Sequence, residues 1–405
     1  MKKNKLSRRD FVQLSGLAST SLLVPGFLKC SENKILINES LSHRKLVVIQ
    51  LSGGNDGLNT VVPYRNDVYY SSRPSLAISR SNILDLDGEM GLNGEMRAMK
   101  KIYDEGYMSI INNVGYPNPN RSHFRSLDIW HTASNSDEYL KSGWLGNYLD
   151  STCSDCKSPH KVIEVDGTLS LAVKGRKNNG IAVENPALLH KTVSDPLVRK
   201  LATNSSIGAA ERASSYLYKT LIQTASSADY IYEKSKIYRS SLAYPANNEL
   251  AKKLRVVSEL IISGIDTSVF YVSMSGYDTH IKQQAQHDKL LQFMSDAVGL
   301  FCLDLEKNGK LDDTMIVVFS EFGRRVKENA SSGTDHGTAN NMFIINKNLK
   351  KAGIYNETPD LNNLDSGDLK FKTDFRSVYA TVLENWLGSN SQAILGREFD
   401  KLKFI

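Results

Sequence analysis

Cysteine is scarce in this chain, with four in 405 residues. Past Cys30 only Cys153, Cys156 and Cys302 remain, too few for a four-thiolate zinc site, and no haem or iron–sulfur spacing is present. An electron-transfer role is therefore disfavoured. Net charge is equally short. The formal +6 sits almost wholly in the first thirty residues, where Lys2, Lys3, Lys5, Arg8, Arg9 and Lys29 face Asp10 alone. Beyond them 44 basic groups stand against 43 acidic ones, and so nearly neutral a body gives no electrostatic case for nucleic acid. Internal repeats and low-complexity linkers are missing too, so nothing divides the chain sharply. The length allows two or three domains, or one open α/β sheet with insertions.

What is present begins with the leader. Lys2 to Arg9 form a positive region and Phe11 to Leu28 an apolar stretch broken by Ser, Gly and Thr, a poor membrane span. Ser7-Arg8-Arg9-Asp10-Phe11 resembles the twin-arginine export signal, which carries folded proteins across the bacterial inner membrane. Residues 1–30 are therefore expected to be an export signal, which makes the protein periplasmic or part of the cell envelope. Cys30 closes the leader where a lipoprotein cysteine would sit, which offers membrane attachment through a lipid. Lys29 before it departs from the small residue usual there. In an exported protein Cys153 and Cys156 form a small loop disulfide or stay free.

From Lys45 the chain repeats one theme, an apolar run followed by glycine with an acid or histidine. Lys45 to Leu51 reads as a central parallel strand ending at Gly53-Gly54-Asn55-Asp56-Gly57. Asn-Asp-Gly is also good turn chemistry, so a plain turn stands beside a binding role for Asp56. Met108 to Val114 is a second strand, running through a Pro/Asn loop into a helix through Trp130. Ser122 stands near that helix's N-terminus, where free N–H groups favour anions; it is a helix cap or a nucleophile. Lys161 to Asp166 and Gly180 to Val183 are short strands, and Ile207 to Ser240 reads as a long amphipathic helix. A second helix, capped by Asn247 or Asn248, runs to Ile262. Ser268 to Met274 is a strand ending in Gly276-Tyr277-Asp278-Thr279-His280, followed by a helix from Gln283 to Lys307 that carries His287. Asp312 to Phe319 opens onto Ser320-Glu321-Phe322-Gly323-Arg324-Arg325, with Gly333-Thr334-Asp335-His336-Gly337 close behind. Asn341 to Ile345 is one more strand, and Phe375 to Leu387 a covering helix.

Parallel strands alternating with helices deliver their carboxyl ends to one edge, where open α/β sheets place ligands. Asp56, Asp278, His280, Glu321 and His336 are thus candidates to converge. Carboxylates with neutral imidazoles suit zinc, manganese or iron; carboxylates alone suit magnesium or calcium. Arg121, Arg324 and Arg325 have the planar forks that grip an anionic group. Each residue taken singly also has a bland reading, Glu321 with Arg324 as a surface ion pair among them.

The leader, Gly53-Gly54-Asn55-Asp56-Gly57-Leu58-Asn59, Arg121-Ser122-His123-Phe124, Gly276-Tyr277-Asp278-Thr279-His280, Ser320-Glu321-Phe322-Gly323-Arg324 and Gly333-Thr334-Asp335-His336-Gly337 together resemble the bacterial exported family of domain of unknown function 1501. That family is similar to the alkaline phosphatase-like superfamily of phosphatases, sulfatases and phosphomutases. The resemblance implies one alkaline phosphatase-like α/β domain over residues 44–405, doubly wound, its mostly parallel sheet flanked by helices, with insertions around 65–107 and 150–245. It implies a divalent metal, zinc first, with manganese, magnesium and calcium as alternatives. Asp56 would be the first-strand ligand, Ser122 the nucleophile, and Asp278 with His280 or His287 the holder of one ion. Glu321 would stand where the superfamily has an Asp-His pair, and His336 would be the final metal histidine. Ser320-Glu321-Phe322-Gly323 lacks that adjacent histidine, and Asp278-Thr279-His280 is tighter than the usual ligand spacing, so the number of ions stays open. The implied function is a metal-dependent hydrolase of phosphate or sulfate esters, on a small molecule or a polysaccharide. The alternative is a non-catalytic cell-envelope binding protein that keeps the fold.

Overall fold

The computed structural model describes residues 43–153, 158–203 and 212–405. The expected export signal, Cys30 and Cys156 lie outside these residues. Cys153 is disulfide-bonded and Cys302 is a buried free thiol.

Strand β1 (Lys45–Ser52) is buried through its middle, because its sequence offers an apolar side chain at almost every position, as a strand covered on both faces requires. After it come helix α1 (Gly57–Thr60) and a small antiparallel sheet of β2 (Val61–Val62), β3 (Ile83–Asp85) and β4 (Gly91–Asn93). Helix α2 (Arg97–Asp104) leads to β5 (Met108–Gly115), then helices α3 (His123–Thr132) and α4 (Trp144–Thr152). The short strands β6 (Val162–Glu164) and β7 (Ile181–Ala182) are followed by the long helices α5 (Arg212–Ser235) and α6 (Glu249–Ile262). Asn248 caps α6, accepting the Ala251 N–H at 3.1 Å. Strand β8 (Val269–Ser275), helix α7 (Gln283–Lys307) and strand β9 (Thr314–Ser320) follow, each within a residue or two of its expected bounds. Then come β10 (Asn340–Ile345), β11 (Gly353–Ile354), the hairpin of β12 (Leu364–Asp365) and β13 (Asp368–Leu369), β14 (Thr373–Asp374) and helix α8 (Phe375–Thr381). The helix expected over Phe375 to Leu387 changes to π-helical winding at Val382–Trp386.

The main sheet runs β11-β5-β10-β9-β1-β8-β6-β7, with β14 also paired to β5. Every pairing is parallel except those of β10, which runs against both β5 and β9. Only a loop joins β9 to β10, and without a crossover helix a neighbouring strand must return antiparallel. Successive side chains of β1 face opposite sides of the sheet. Val47, Ile49 and Leu51 join the core under α2, α6 and α7, whereas Leu46 and Val48 join the one under α3, α4 and α8. The fold is therefore α/β, a mostly parallel sheet with helices on both faces. Among the described residues no helix is long and apolar enough to cross a membrane.

A candidate metal centre at the carboxyl edge of the sheet

Strands β5, β9, β1 and β8 run the same way, so the loops that follow them meet at one edge. Two glycines let these loops touch. Gly53 and Gly54 both adopt positive φ, and a Cβ on Gly53 would come within 2.4 Å of the Asp278 amide nitrogen. Arg324 ties the loops together from inside. Its Nε donates to the Gly54 carbonyl at 2.7 Å, Nη1 to that of Thr334 at 3.0 Å, and Nη2 to those of Gly53 at 2.5 Å and Tyr277 at 3.0 Å. Nη2 also meets Asp278 Oδ1 at 2.8 Å. A buried guanidinium committed to four carbonyls and one carboxylate is a clasp between loops. Arg121 and Arg325 are likewise engaged, both facing the buried Asp368.

Three imidazoles surround Asp278 Oδ1. Nε2 of His280 lies at 2.9 Å, that of His336 at 3.2 Å and that of His123 at 3.3 Å. His280 and His336 also bring their Nε2 atoms within 2.9 Å of each other. The ligand atoms of His123, Asp278 and His336 all lie within 4.8 Å of one another. What their other nitrogens do decides what these atoms offer. His336 Nδ1 is 2.8 Å from the Arg121 carbonyl, which only accepts, so a proton on Nδ1 is satisfied there. His123 Nδ1 is 2.9 Å from Glu321 Oε1, which orients it in the same sense. His123 Nε2 is buried and has no hydrogen-bond partner. Two imidazole Nε2 atoms thus converge on one carboxylate oxygen, where either a proton or a cation can lie between them and it. Such a set can hold a cation.

The charges fit this picture. Burial alone would raise the Asp278 carboxyl, but hydrogen bonds from Arg324 and His336 outweigh it and hold the group far below the usual carboxylate range. The Glu321 hydrogen bond raises the His123 pKa against the opposing effect of burial, with Asp278 adding to the rise. Burial lowers that of His336, with the Asp278 hydrogen bond working the other way.

The expected site residues divide into two groups. Asp278, His280 and His336 meet in the centre. Glu321 adjoins it without facing Asp278: Oε1 accepts the Gly53 amide at 2.8 Å and faces His123, while Oε2 accepts the Ser320 hydroxyl at 3.1 Å. Asp56 and His287 are not brought in. Asp56 already has a cation in Arg73, at 2.6 Å with both side chains fully buried, and Gln283 donates to the same oxygen at 2.5 Å. Burial would raise the Asp56 carboxyl, but Arg73 prevails and its pKa is lowered. His287 Nε2 lies 2.9 Å from Asn55 Oδ1, and burial pushes its pKa down to about 4. Ser122 is the N-cap residue of α3, yet its side chain makes no capping bond; its own N–H is held by Asn120 Oδ1 and its carbonyl accepts the Ser126 N–H, both at 2.8 Å. Its hydroxyl is exposed and uncommitted to the helix.

The residue missed in the sequence is His123. It stands next to Ser122 in a motif that had drawn notice for the serine, and it lies eight residues past the end of β5, outside the pattern of ligands directly after a strand.

A family model described as protein of unknown function (DUF1501) matches residues 106–401. The chain belongs to the DUF1501 family. The matched stretch holds His123, Asp278, His280, Glu321, Arg324 and His336, whereas Gly53, Asp56 and Arg73 precede it. No curated protein matches this DUF1501 chain. Solved structures do. A protein in the alkaline phosphatase superfamily from Vibrio parahaemolyticus is 12% identical, with 97% of this chain and 78% of that one covered at a TM-score of 0.40. The zinc complex of the C-terminal periplasmic domain of EcEptC from Escherichia coli is 11% identical over 75% and 72% of the two chains, at 0.39. The PsFucS1 sulfatase from Pseudoalteromonas sp. is 12% identical over 89% and 70%, also at 0.39. Likeness this distant leaves the chemistry to be read from the residues themselves.

Proposed function

We propose that this DUF1501 member is an exported, metal-dependent hydrolase of phosphate or sulfate esters. One observation carries the reading: the buried Nε2 of His123, 3.3 Å from Asp278 Oδ1 without a well-formed hydrogen bond, joins Asp278 and His336 in a group of ligand atoms no more than 4.8 Å apart. Two nitrogens and one carboxylate oxygen suit zinc best and manganese next, whereas magnesium and calcium prefer oxygen alone. His123, Asp278 and His336 would hold the ion, with His280 at its edge. Bound there, a divalent ion stabilises negative charge on an ester oxygen.

The chain's own groups divide the remaining work. With an ion bound, Glu321 and the Arg121 carbonyl would keep protons on Nδ1 of His123 and His336 and so leave both Nε2 atoms to coordinate. Arg324 keeps Asp278 ionised. Ser122 would attack the phosphorus or sulfur atom through its hydroxyl oxygen, the hydroxyl proton passing by way of solvent to the ester oxygen, which leaves as the alcohol. Water would then cleave the serine ester and restore the hydroxyl, while the N-terminal N–H groups of the ten-residue helix α3 favour the charge on the transferring group. The twin-arginine pattern of the leader supports export, and its lipoprotein-like Cys30 a membrane tether.

A test takes the purified full chain, measures its metal content, and assays aryl phosphate and aryl sulfate with wild type, Asp278→Ala and His336→Ala. Bound zinc and turnover lost in both variants are expected. A metal-free protein whose activity ignores both substitutions would overturn the reading. One observation favours a second reading, a non-catalytic envelope binding protein: Arg324 already gives Asp278 Oδ1 a cationic partner at 2.8 Å. On that reading the same experiment returns neither metal nor turnover.

A further inference from the structure

Three groups at the centre come from one short stretch of chain: the Arg121 carbonyl on His336 Nδ1, the Ser122 hydroxyl, and the His123 imidazole. That stretch follows Tyr116-Pro117-Asn118-Pro119-Asn120, in which the two prolines bring no N–H to fasten it. The fastening comes from Tyr116, buried and packed edge-on against Phe375 at a ring distance of 5.8 Å. Its hydroxyl accepts the Asn120 N–H at 3.1 Å and lies 2.9 Å from the buried Ser126 Oγ. Ser126 Oγ in turn donates to the Glu321 carbonyl at 2.7 Å. A carbonyl only accepts, so the Ser126 proton goes to Glu321 and the Tyr116 proton to Ser126. The Asn120 carbonyl, at 3.4 Å, is the weaker alternative for that proton. Burial raises the Tyr116 phenol above its ordinary value and so keeps it protonated. The bonds run one way, from Asn120 to Tyr116 to Ser126 to Glu321, and bonds in such a chain strengthen one another.

Both ends of the chain close on the centre. Asn120 Oδ1 holds the Ser122 N–H, and the Ser126 N–H holds the Ser122 carbonyl, each at 2.8 Å. Glu321 is gripped by its carbonyl from Ser126 and meets His123 Nδ1 through its carboxylate at 2.9 Å. We propose that Tyr116 is a positioning residue, whose hydroxyl, through Asn120 and Ser126, sets Ser122 and His123 against Glu321. The inference rests on the hydrolase reading for the part Ser122 plays, but the placing of the stretch belongs to the folded chain and is tested apart from turnover.

Tyr116→Phe removes the hydroxyl and keeps the ring, and Ser126→Ala breaks the next link. Tyr379→Phe is the control, because its hydroxyl bonds the Trp130 carbonyl at 3.2 Å, at the other end of the same helix. The full chain is followed in two ways: the visible spectrum of its cobalt-substituted form, and hydrogen–deuterium exchange of the peptide 116–126 in its metal-free form. Tyr116→Phe and Ser126→Ala should each alter the cobalt spectrum and weaken zinc binding about tenfold. Each should also speed exchange in that peptide about tenfold while the remainder of the chain exchanges as in wild type. Tyr379→Phe should do none of this. In the same two variants kcat for aryl phosphate should fall about tenfold or more at an unchanged KM. Spectrum and exchange like those of wild type in both variants overturn the proposal. So does exchange that quickens evenly along the chain, the mark of a bond that serves stability alone. A wild type without ester turnover, or without bound metal, removes the hydrolase reading, and the exchange pattern then upholds or overturns Tyr116 by itself.

Discussion

Glu321 Oε1 accepts the Gly53 amide at 2.8 Å and faces His123 Nδ1 at 2.9 Å, so a single carboxylate oxygen joins the turn after β1 to an imidazole on α3. A carboxylate behind a ligating imidazole fixes its tautomer and ring plane and raises its basicity. Glu321→Gln keeps an oxygen acceptor but drops the charge. Zinc affinity, read by competition titration, should weaken 10- to 100-fold while the melting temperature stays near that of wild type. Glu321→Ala also leaves the buried Gly53 N–H without an acceptor and should cost about 1–3 kcal/mol of stability besides. Equal zinc affinity in wild type and Glu321→Gln would remove the positioning role and return Glu321 to an ordinary buried bond.

Asp56 makes the opposite case, a carboxylate whose partner is internal. With Arg73 beside it at 2.6 Å and both side chains at zero exposure, its charge is already answered from inside, and only Oδ1 lacks a hydrogen-bond partner. Asp56→Asn should therefore retain the metal content of wild type, measured after gentle purification. Arg73→Met, which strands the buried carboxylate, should cost about 3–5 kcal/mol in urea unfolding. Loss of metal from a folded Asp56→Asn protein would bring Asp56 back into the centre.

Why these two acids part company explains how much of the site could be read from residues alone. Apolar runs such as Met315 to Phe319 announce strands, and their ends announce an edge, so Asp278, His280 and His336 were legible as a group. The period of Gln283–Lys307 was legible for the same reason, since burial on one side sets it. Arg73 as the partner of Asp56 was not, because sixteen residues of loop and short helix lie between them and only tertiary packing chooses the pair. His123 was hidden by its distance from β5. The strands of the β2–β4 sheet have two or three residues each and leave no periodic trace. The direction of β10 rested on a loop, where hydrophobic pattern says nothing.

Glu164 gives a pH dependence that can be separated from the centre. It is buried on β6, with Oε2 accepting the Ser170 N–H at 2.7 Å. Burial pushes its carboxyl up from 4.5 to about 7, against the pull of the Ser170 bond. The folded chain then holds a proton that the unfolded chain releases between about pH 4.5 and 7, so stability falls as pH rises through that window. At about 1.4 kcal/mol per pH unit the loss is ~3 kcal/mol. His131 and His287, pushed by burial from 6.5 to about 4, act in the other direction: their contribution is complete above pH 6.5 and is lost as pH falls toward 4. The difference in urea stability between wild type and Glu164→Gln isolates the first effect. That difference should move against wild type between pH 4.5 and 7; a flat difference would mean that Glu164 ionises in the folded chain without penalty.

Ser122 offers the sharpest separation of catalysis from structure. As the N-cap residue of α3 it would normally lend its side chain to the helix, and its substitution by alanine would cost about 1 kcal/mol. Its hydroxyl makes no such bond here. Ser122→Ala should therefore unfold within about 0.5 kcal/mol of wild type and bind zinc equally well. If the hydroxyl is the nucleophile, turnover of aryl phosphate or sulfate should nonetheless fall by on the order of a thousandfold or more. The three readings together decide the role. A stability loss of a full cap with turnover kept would make Ser122 structural, whereas a silent substitution in all three would hand the attack to water at the same centre and leave His123, Asp278 and His336 as the residues that matter.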